Sequence, residues 1–279
     1  MRVLVTGARG FIGRRLVPRL RDAGGEVIEY AGDVRAAIRC ETAVDVVVHL
    51  AGALRGDAFR DDPARAFETN VVGTANVLRL CETLGARCVL ASTSAVYPSS
   101  DTPLAETVAA APRSPYGTSK WLAERLCEQW AGDGDRAAVV LRLFNVYGPG
   151  QDASFIAAHV AECLRRGRAV DLQTPQAVRD FVHVDDVAAA FRRAAESRET
   201  GLRVYNVGTG VGFRIIDFVA LAAAATGLPA QVTAPPASSE PDTVVASIAA
   251  IQAALGWTAR IDLREGLRDM IRDPVTGDQ

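Results

Sequence analysis

The chain has almost no lysine. Of its 31 lysine and arginine side chains, Lys120 is the single lysine. Either residue serves as a solvated positive charge, so one lysine among so many arginines marks a place where a guanidinium would serve badly. An ammonium is a compact charge with rotatable donors, whereas guanidinium is a wide planar fork. The bland alternative is one leftover lysine on a helix surface. Other scarcities narrow the class of protein. The formal charge is −2, without a long run of either sign, which speaks against a sequence-independent nucleic-acid binder. The cysteines (Cys40, Cys81, Cys88, Cys127, Cys163) are odd in number and lack CxxC spacing. They read as reduced, mostly buried thiols of a cytoplasmic protein. The histidines (His49, His159, His183) show no metal-ligand spacing. The apolar run LAAAATG near 221–227 is too short to cross a membrane, and the N-terminal MRVLVTG leads into a strand with no signal peptide.

What is present is an alternation of β and α patterns. Strands are expected at 3–6, 26–30, 45–50, 87–92 and 137–143, most of them apolar, with helices at 64–84 and 114–132 among the segments between them. Strands apolar throughout have both faces covered. The expected fold is therefore α/β, a doubly wound parallel sheet with right-handed crossovers. The character changes after Gln151. Helices at 154–166 and 185–198 are separated by short strands, a Pro/Ser-rich loop covers 234–242, IAAIQAALGW reads as a short helix, and DPVTGDQ as a frayed tail. Residues 1–150 are expected to hold a nucleotide and 151–279 to form a smaller lobe, with segments near 180–207 returning to the sheet. There is no internal repeat.

Two motifs carry chemistry. TGARGFIG follows the first strand and spaces Gly7, Gly10 and Gly13 three apart. Glycine there allows a sharp turn and lets backbone N–H groups approach a pyrophosphate at a helix N-terminus. A Gly-rich turn without ligand is the alternative. The acidic residue that usually ends strand two and holds the adenosine ribose is replaced by Ala31, with Glu29 and Tyr30 near but directed elsewhere. A 2′-phosphate is then not repelled, and Arg9, Arg14 or Arg35 could pair with it, or could be ordinary surface charges. The choice of NAD or NADP stays open. In SPYGTSKWLAERL, Tyr116 and Lys120 are four apart and share one helix face. A nearby cation lowers the tyrosine pKa from about 10 and makes it a usable acid/base.

In order along the chain, TGARGFIG, GDVR, DVVVHLAG, ETNVVGT, STSAVY, YGTSK, LRLFNVYGPGQ, RDFVHVDDV, YNVGTG and LGW resemble the extended short-chain dehydrogenases/reductases. The likeness is to the NAD-dependent epimerase/dehydratase type, which acts mostly on nucleotide sugars. The resemblance implies a Rossmann-like cofactor domain and a C-terminal substrate lobe. It implies that Gly7, Gly10, Phe11, Ile12 and Gly13 bind the cofactor pyrophosphate. Asp33 and Val34 would lie at the adenine, and Leu50, Ala51 and Gly52 would line the cofactor channel. Thr93 matches the hydroxyl that orients the reacting oxygen, Tyr116 the acid/base, and Lys120 the residue holding the nicotinamide ribose. Ser94, Asn145 and Arg179 fall to the substrate, the last two at its diphosphate. For Arg179 the alternative is a salt bridge to Asp180 or Asp185. His49 and His183 read as structural, and Asp185 and Asp186 as the start of a helix. A homodimer through the helices at 64–84 and 114–132 is also implied.

Three departures shape the expected reaction. The family's loop and helix between strand two and Asp33 are missing, which leaves the adenine end less covered. Ser94 and Ala95 follow Thr93 where sugar dehydratases carry Asp–Glu, which argues against dehydration. Ala237 replaces an arginine of the late loop, and Ser247 an aspartate, so one diphosphate contact is lost. The expectation is a nucleotide-sugar 4-ketoreductase. The alternatives are a 4-epimerase, which must keep its cofactor between half-reactions, and a non-catalytic cofactor binder, which would show a damaged Thr–Tyr–Lys trio.

Overall fold

The computed structural model describes residues 1–54, 57–132, 135–235 and 242–272. Ala237 and the DPVTGDQ tail lie outside them. The strands are β1 (Arg2–Thr6), β2 (Glu26–Tyr30), β3 (Val46–His49), β4 (Arg87–Thr93), β5 (Ala137–Leu143), β6 (Asn145–Tyr147), β7 (Val170–Asp171), β8 (Val178–His183), β9 (Gly201–Val207), β10 (Gly212–Arg214), β11 (Val232–Thr233) and β12 (Thr243–Val244). The helices are α1 (Gly13–Asp22), α2 (Asp57–Asp61), α3 (Pro63–Phe67), α4 (Gly73–Leu84), α5 (Pro115–Ala131), α6 (Ile156–Arg165), α7 (Val184–Glu196), α8 (Ile215–Thr226), α9 (Ala249–Leu255) and α10 (Leu263–Arg272).

Strand periodicity sets the layers, because successive side chains leave opposite faces of a sheet. Val3, Val5, Val46 and Val48 face one core with Leu16 and Leu20 of α1 and Val187 and Phe191 of α7. Leu4, Val47, Cys88 and Leu90 face the other with Val77 and Cys81 of α4 and Ala123 and Cys127 of α5. The main sheet is parallel throughout, in the order β2-β1-β3-β4-β5-β9. The order reverses beside β1, since β2 lies on one side and β3 on the other. Such a switch opens a crevice at the carboxyl ends of the strands, where ligands of doubly wound sheets bind.

Residues 31–45 contain no helix or strand, so β2 pairs with β1 alone and is an edge strand. Asn76 holds this connection down, its Nδ2 donating to the carbonyls of Val34, Arg35 and Ala36 at 2.9–3.1 Å. A third core collects Phe181 of β8, Val160 and Leu164 of α6, Phe218 of α8 and Leu267 of α10. Its sheet runs β10-β8-β12, with β6 also on β8. The chain enters this lobe after β5, returns to the main sheet for α7 and β9, and leaves again.

The structure corrects one helix. The segment expected to be helical over 64–84 is α3 and α4 joined by a turn of π-helix, Glu68–Val72. The turn carries Asn70, whose side chain reaches into the site.

Candidate active site

The C-terminal ends of β1, β3 and β4 bring the first group of residues together. Gly7 has φ +68°, and a Cβ on it would sit 2.6 Å from the Ala51 nitrogen. A Cβ on Gly13 would sit 2.4 Å from the Gly7 carbonyl oxygen. Glycine is thus required where the turn touches the end of β3 and where α1 packs on the turn. The Thr6 hydroxyl completes the join. It accepts from the Ala51 N–H at 3.2 Å and shares a 2.7 Å hydrogen bond with His49 Nδ1. Burial, and then the charge of Lys120, push the His49 pKa down to about 3. His49 is therefore a neutral packing residue, as expected.

This turn fits a dinucleotide phosphate. Phe11 and Ile12 precede the first residue of α1, and their N–H groups have no backbone acceptor among the described residues. The first turn of α1 carries no acidic side chain, so the positive end of the helix is free for an anion. Asp33, expected to meet the adenine, is exposed and bound by its neighbour Arg35. Its carboxylate receives the Arg35 N–H and guanidinium, and these hydrogen bonds hold its pKa down at about 2. Glu29 pairs with Arg21 on α1 at 2.8 Å. Arg9 and Arg14 are exposed and have no ion-pair partner among the described residues.

Tyr116 and Lys120 lie on α5. Ser114 caps the helix, its Oγ accepting from the Gly117 N–H at 3.1 Å, and Pro115 occupies the first helical position. These residues define a helix start from sequence alone. Three contacts seat α5 on β4. A Cβ on Gly117 would meet the Ala95 carbonyl at 2.3 Å. Lys120 Nζ donates to the Ala91 carbonyl at 3.1 Å. Ser92 Oγ donates to Glu124 at 2.5 Å. The first turn of α5 therefore rests on the turn that begins at Thr93, whose Oγ1 accepts from the Ala95 N–H. Ser94 opens that turn and is half-buried.

Lys120 is 5% exposed, and burial pulls its pKa down from 10.5 to about 8 against the opposing pull of Glu124. The ammonium donates to one acceptor among the described residues, which leaves two N–H groups for further acceptors. Gly52 faces it, and a Cβ there would be 3.0 Å from Nζ and from Asn70 Oδ1. The expected channel residue thus keeps space open at the lysine.

Three residues escaped the sequence reading. Asn70, 1% exposed on the π-turn, accepts from the Ala53 N–H and donates to the Ala53 carbonyl and to Ser119 Oγ, at 2.7–3.0 Å. Ser119 in turn donates to the Tyr116 carbonyl. A widened turn lets this one side chain tie the end of β3 to α5, and such insertions recur at functional sites. The signal available in sequence was a polar residue where the helix buries. Phe59 meets the Tyr116 ring edge-on at 5.9 Å, and no pattern announced it. Glu124, 1% exposed, binds Arg142 at 2.7 Å. Arg142 also donates to Tyr97 Oη, which donates to Asn206 Oδ1. This buried chain links α5, β5 and β9 beneath the lysine.

On the substrate side, Asn145 opens β6 and donates to the Asp180 carbonyl at 3.4 Å. Arg179 on β8 pairs with Asp242 at 2.6 Å. The expected alternatives are not its partners: Asp180 is buried and receives N–H groups of Thr209, Gly210 and Ala246, and Asp185 binds Arg19. The reason is register, since β12 lies beside β8 and brings Asp242 next to Val178. His183 caps α7 through Nδ1, and Asp186 accepts the Arg260 and Ile261 N–H groups. The described residues contain no cluster of metal ligands and no helix long and apolar enough to cross a membrane.

A glycine turn at the switch of a parallel sheet, facing a Tyr–Lys helix, defines a short-chain dehydrogenase-type nucleotide enzyme. The model of the NAD dependent epimerase/dehydratase family matches residues 3–208, and the chain belongs to that family. The chain is 31% identical to a GDP-6-deoxy-D-mannose reductase of Pseudomonas aeruginosa, over 98% of this chain and 96% of the relative. It is 30% identical to a UDP-glucose 4-epimerase of Streptococcus mutans, over 94% and 93%. Among solved structures it superposes on MoeE5 in complex with UDP-glucuronic acid and NAD, with TM-score 0.89, 34% identity and 98% of each chain covered. It also superposes on RMD from Pseudomonas aeruginosa complexed with NADPH, with TM-score 0.89, 30% identity and 98% of each chain.

Proposed function

We propose that the protein reduces a keto carbon, C4 of the sugar ring, in a nucleotide sugar. The nicotinamide of bound NADH or NADPH supplies the hydride. The observation that carries the site is the seating of α5 on β4, which gathers the Thr93 turn, Tyr116 and Lys120 at the sheet's carboxyl edge. In this reading the Tyr116 hydroxyl donates a proton to the C4 oxygen as hydride arrives on the carbon. The Thr93 hydroxyl donates to the same oxygen and orients it. Lys120, one turn along the same helix face, holds a ribose hydroxyl with its spare N–H groups and keeps a positive charge beside the reacting oxygen. Phe59 covers the tyrosine ring and limits water.

Reduction is favoured over epimerisation by the bare connection 31–45. A reductase must exchange its cofactor each turnover, and residues 31–45 bring neither helix nor strand to this end of the crevice. An epimerase would use the same residues with Tyr116 first removing a proton and later returning it. A non-catalytic binder has no reason to keep the trio seated in this way. Residues 1–150 would hold the cofactor and 151–279 the nucleotide sugar, with α7 and β9 returning to the sheet, and α4 and α5 would pair with their copies in a cytoplasmic homodimer. The purified protein is mixed with NADH or NADPH and a dTDP-4-keto-6-deoxyhexose while nicotinamide absorbance is followed. Loss of absorbance in step with sugar reduction is the expected result. Cofactor that co-purifies and is never consumed would transfer the assignment to epimerase.

A further inference from the structure

His183 uses one ring nitrogen in the fold and leaves the other over. Nδ1 accepts the Asp185 N–H at 3.2 Å, at the start of α7. The Asp185 carboxylate lies 3.6 Å from the same nitrogen, too far for a hydrogen bond, so Nδ1 acts as an acceptor. Burial lowers the His183 pKa against the pull of Asp185 and Asp186. The ring is therefore neutral near pH 7 and carries its proton on Nε2. His183 is 4% exposed, and Nε2 has no partner among the described residues. A buried N–H without an acceptor is costly and calls for an explanation. Glycines flank this edge of the ring. A Cβ on Gly148, with φ +146°, would sit 3.1 Å from Nε2, and one on Gly266 would sit 2.9 Å from Cδ2.

The same ring lines a cleft of about 390 Å³, bounded by Arg15 of α1, Pro149 of the turn after β6, His183 and Asp185 at the start of α7, and Asp269 and Arg272 of α10. None of these residues is among those gathered at Tyr116 and Lys120. Arg15 donates to the Pro149 carbonyl through Nη2 at 3.3 Å, which leaves most of its fork for another acceptor. Neither Arg15 nor Arg272 has an ion-pair partner among the described residues. Asp185 is engaged by Arg19 at 2.9 Å, so Asp269 is the unpaired carboxylate facing two cations. The excess charge at the cleft is positive.

We propose that this cleft is a second binding site, for a small oxyanion of the phosphate or carboxylate type, with His183 Nε2–H as its buried donor and Arg15 and Arg272 as its countercharges. The inference goes beyond the reduction proposed above and does not depend on it. Two guanidinium forks match the spread acceptor oxygens of such an anion. The imidazole, fixed by its Nδ1 contact, adds a donor that needs no rearrangement to meet it.

Titration of inorganic phosphate into protein saturated with reduced cofactor, so that the glycine turn is filled, tests this without turnover. The titration is followed at the His183 ring by proton–nitrogen NMR, with the signal assigned by its loss in His183→Asn. The ring should show the Nε2–H form, and phosphate should shift that signal to saturation. Arg272→Gln, at an exposed side chain, should raise the midpoint about three- to tenfold, while Arg179→Gln should leave it in place. A ring signal that phosphate does not move overturns the site, and so does a midpoint that Arg272→Gln leaves unchanged. A midpoint that moves with Arg179→Gln instead would assign the ion to the nucleotide-sugar crevice and overturn the second site. Parallel titration with acetate separates the sources: tighter phosphate binding marks a phosphoryl ligand, tighter acetate binding a carboxylate, and either one supports the oxyanion site.

Discussion

Lys120 concentrates the conflict between stability and function. Its folded pKa of about 8 lies below the 10.5 of a free lysine. Below pH 8 both states carry the proton and the fold bears the full cost of burying it. Between about pH 8 and 10.5 the unfolded chain binds more protons, so stability rises with pH, by about 3 kcal/mol in all. Lys120→Met should therefore raise the urea midpoint of the cofactor-free protein at pH 7 while abolishing turnover. A lowered midpoint would show that the Ala91 contact outweighs the burial. The same ionisation predicts that kcat/KM, which reports the free enzyme, falls above about pH 8. Lys120→Arg keeps the charge but enlarges the head group where Gly52 leaves little room, and turnover should fall by about 100-fold or more. Near wild-type rates in that variant would mean that charge alone matters.

The site is assembled by elements more than by any single motif. α5 is seated at three heights, by Gly117 on Ala95, Lys120 on Ala91 and Glu124 on Ser92. Glu124→Gln would leave Arg142, 5% exposed, without its countercharge, and should cost about 3–5 kcal/mol in chemical denaturation. Asn70→Ala removes a bridge between the end of β3 and α5. Steady-state kinetics should show kcat reduced about tenfold or more, because small displacements of catalytic groups are costly. The strands and α5 were legible because apolar runs and a Ser–Pro start act locally. The π-turn was not legible, because the side chain it presents, Asn70, pairs with a loop 17 residues away, accepting from the Ala53 N–H and donating to the Ala53 carbonyl. For the same reason Arg179 looked placed to bind Asp180 or Asp185, and only the pairing of β12 with β8 delivers Asp242 instead.

At the scale of the whole molecule, the bare connection after β2 bears on how readily a bound cofactor would exchange. With β2 an edge strand and Asn76 stapling a bare connection, an adenosine lying there would have no helix or strand of residues 31–45 over it. Bound NADH or NADPH should wash out within minutes on dilution, followed by loss of nicotinamide fluorescence; retention through gel filtration would favour the epimerase. The faces of α4 and α5 are the expected dimer contact, and light scattering of the purified chain should give twice its 29.6 kDa mass.

The sequence by itself determined the parallel α/β fold, the glycine turn and the Tyr116–Lys120 helix. Each depends on local periodicity or on spacing within one element. Tertiary structure decided the rest: Asn70 beneath Tyr116, Phe59 at its ring, Glu124 and Arg142 beneath the lysine, and the partner of Arg179. Those contacts join residues far apart in the chain, and their geometry is set by packing and register, which no local pattern encodes. The lone lysine belongs to both. Its rarity marked it in the sequence, and its burial between Gly52 and Ala91 leaves little room for the wider guanidinium of an arginine.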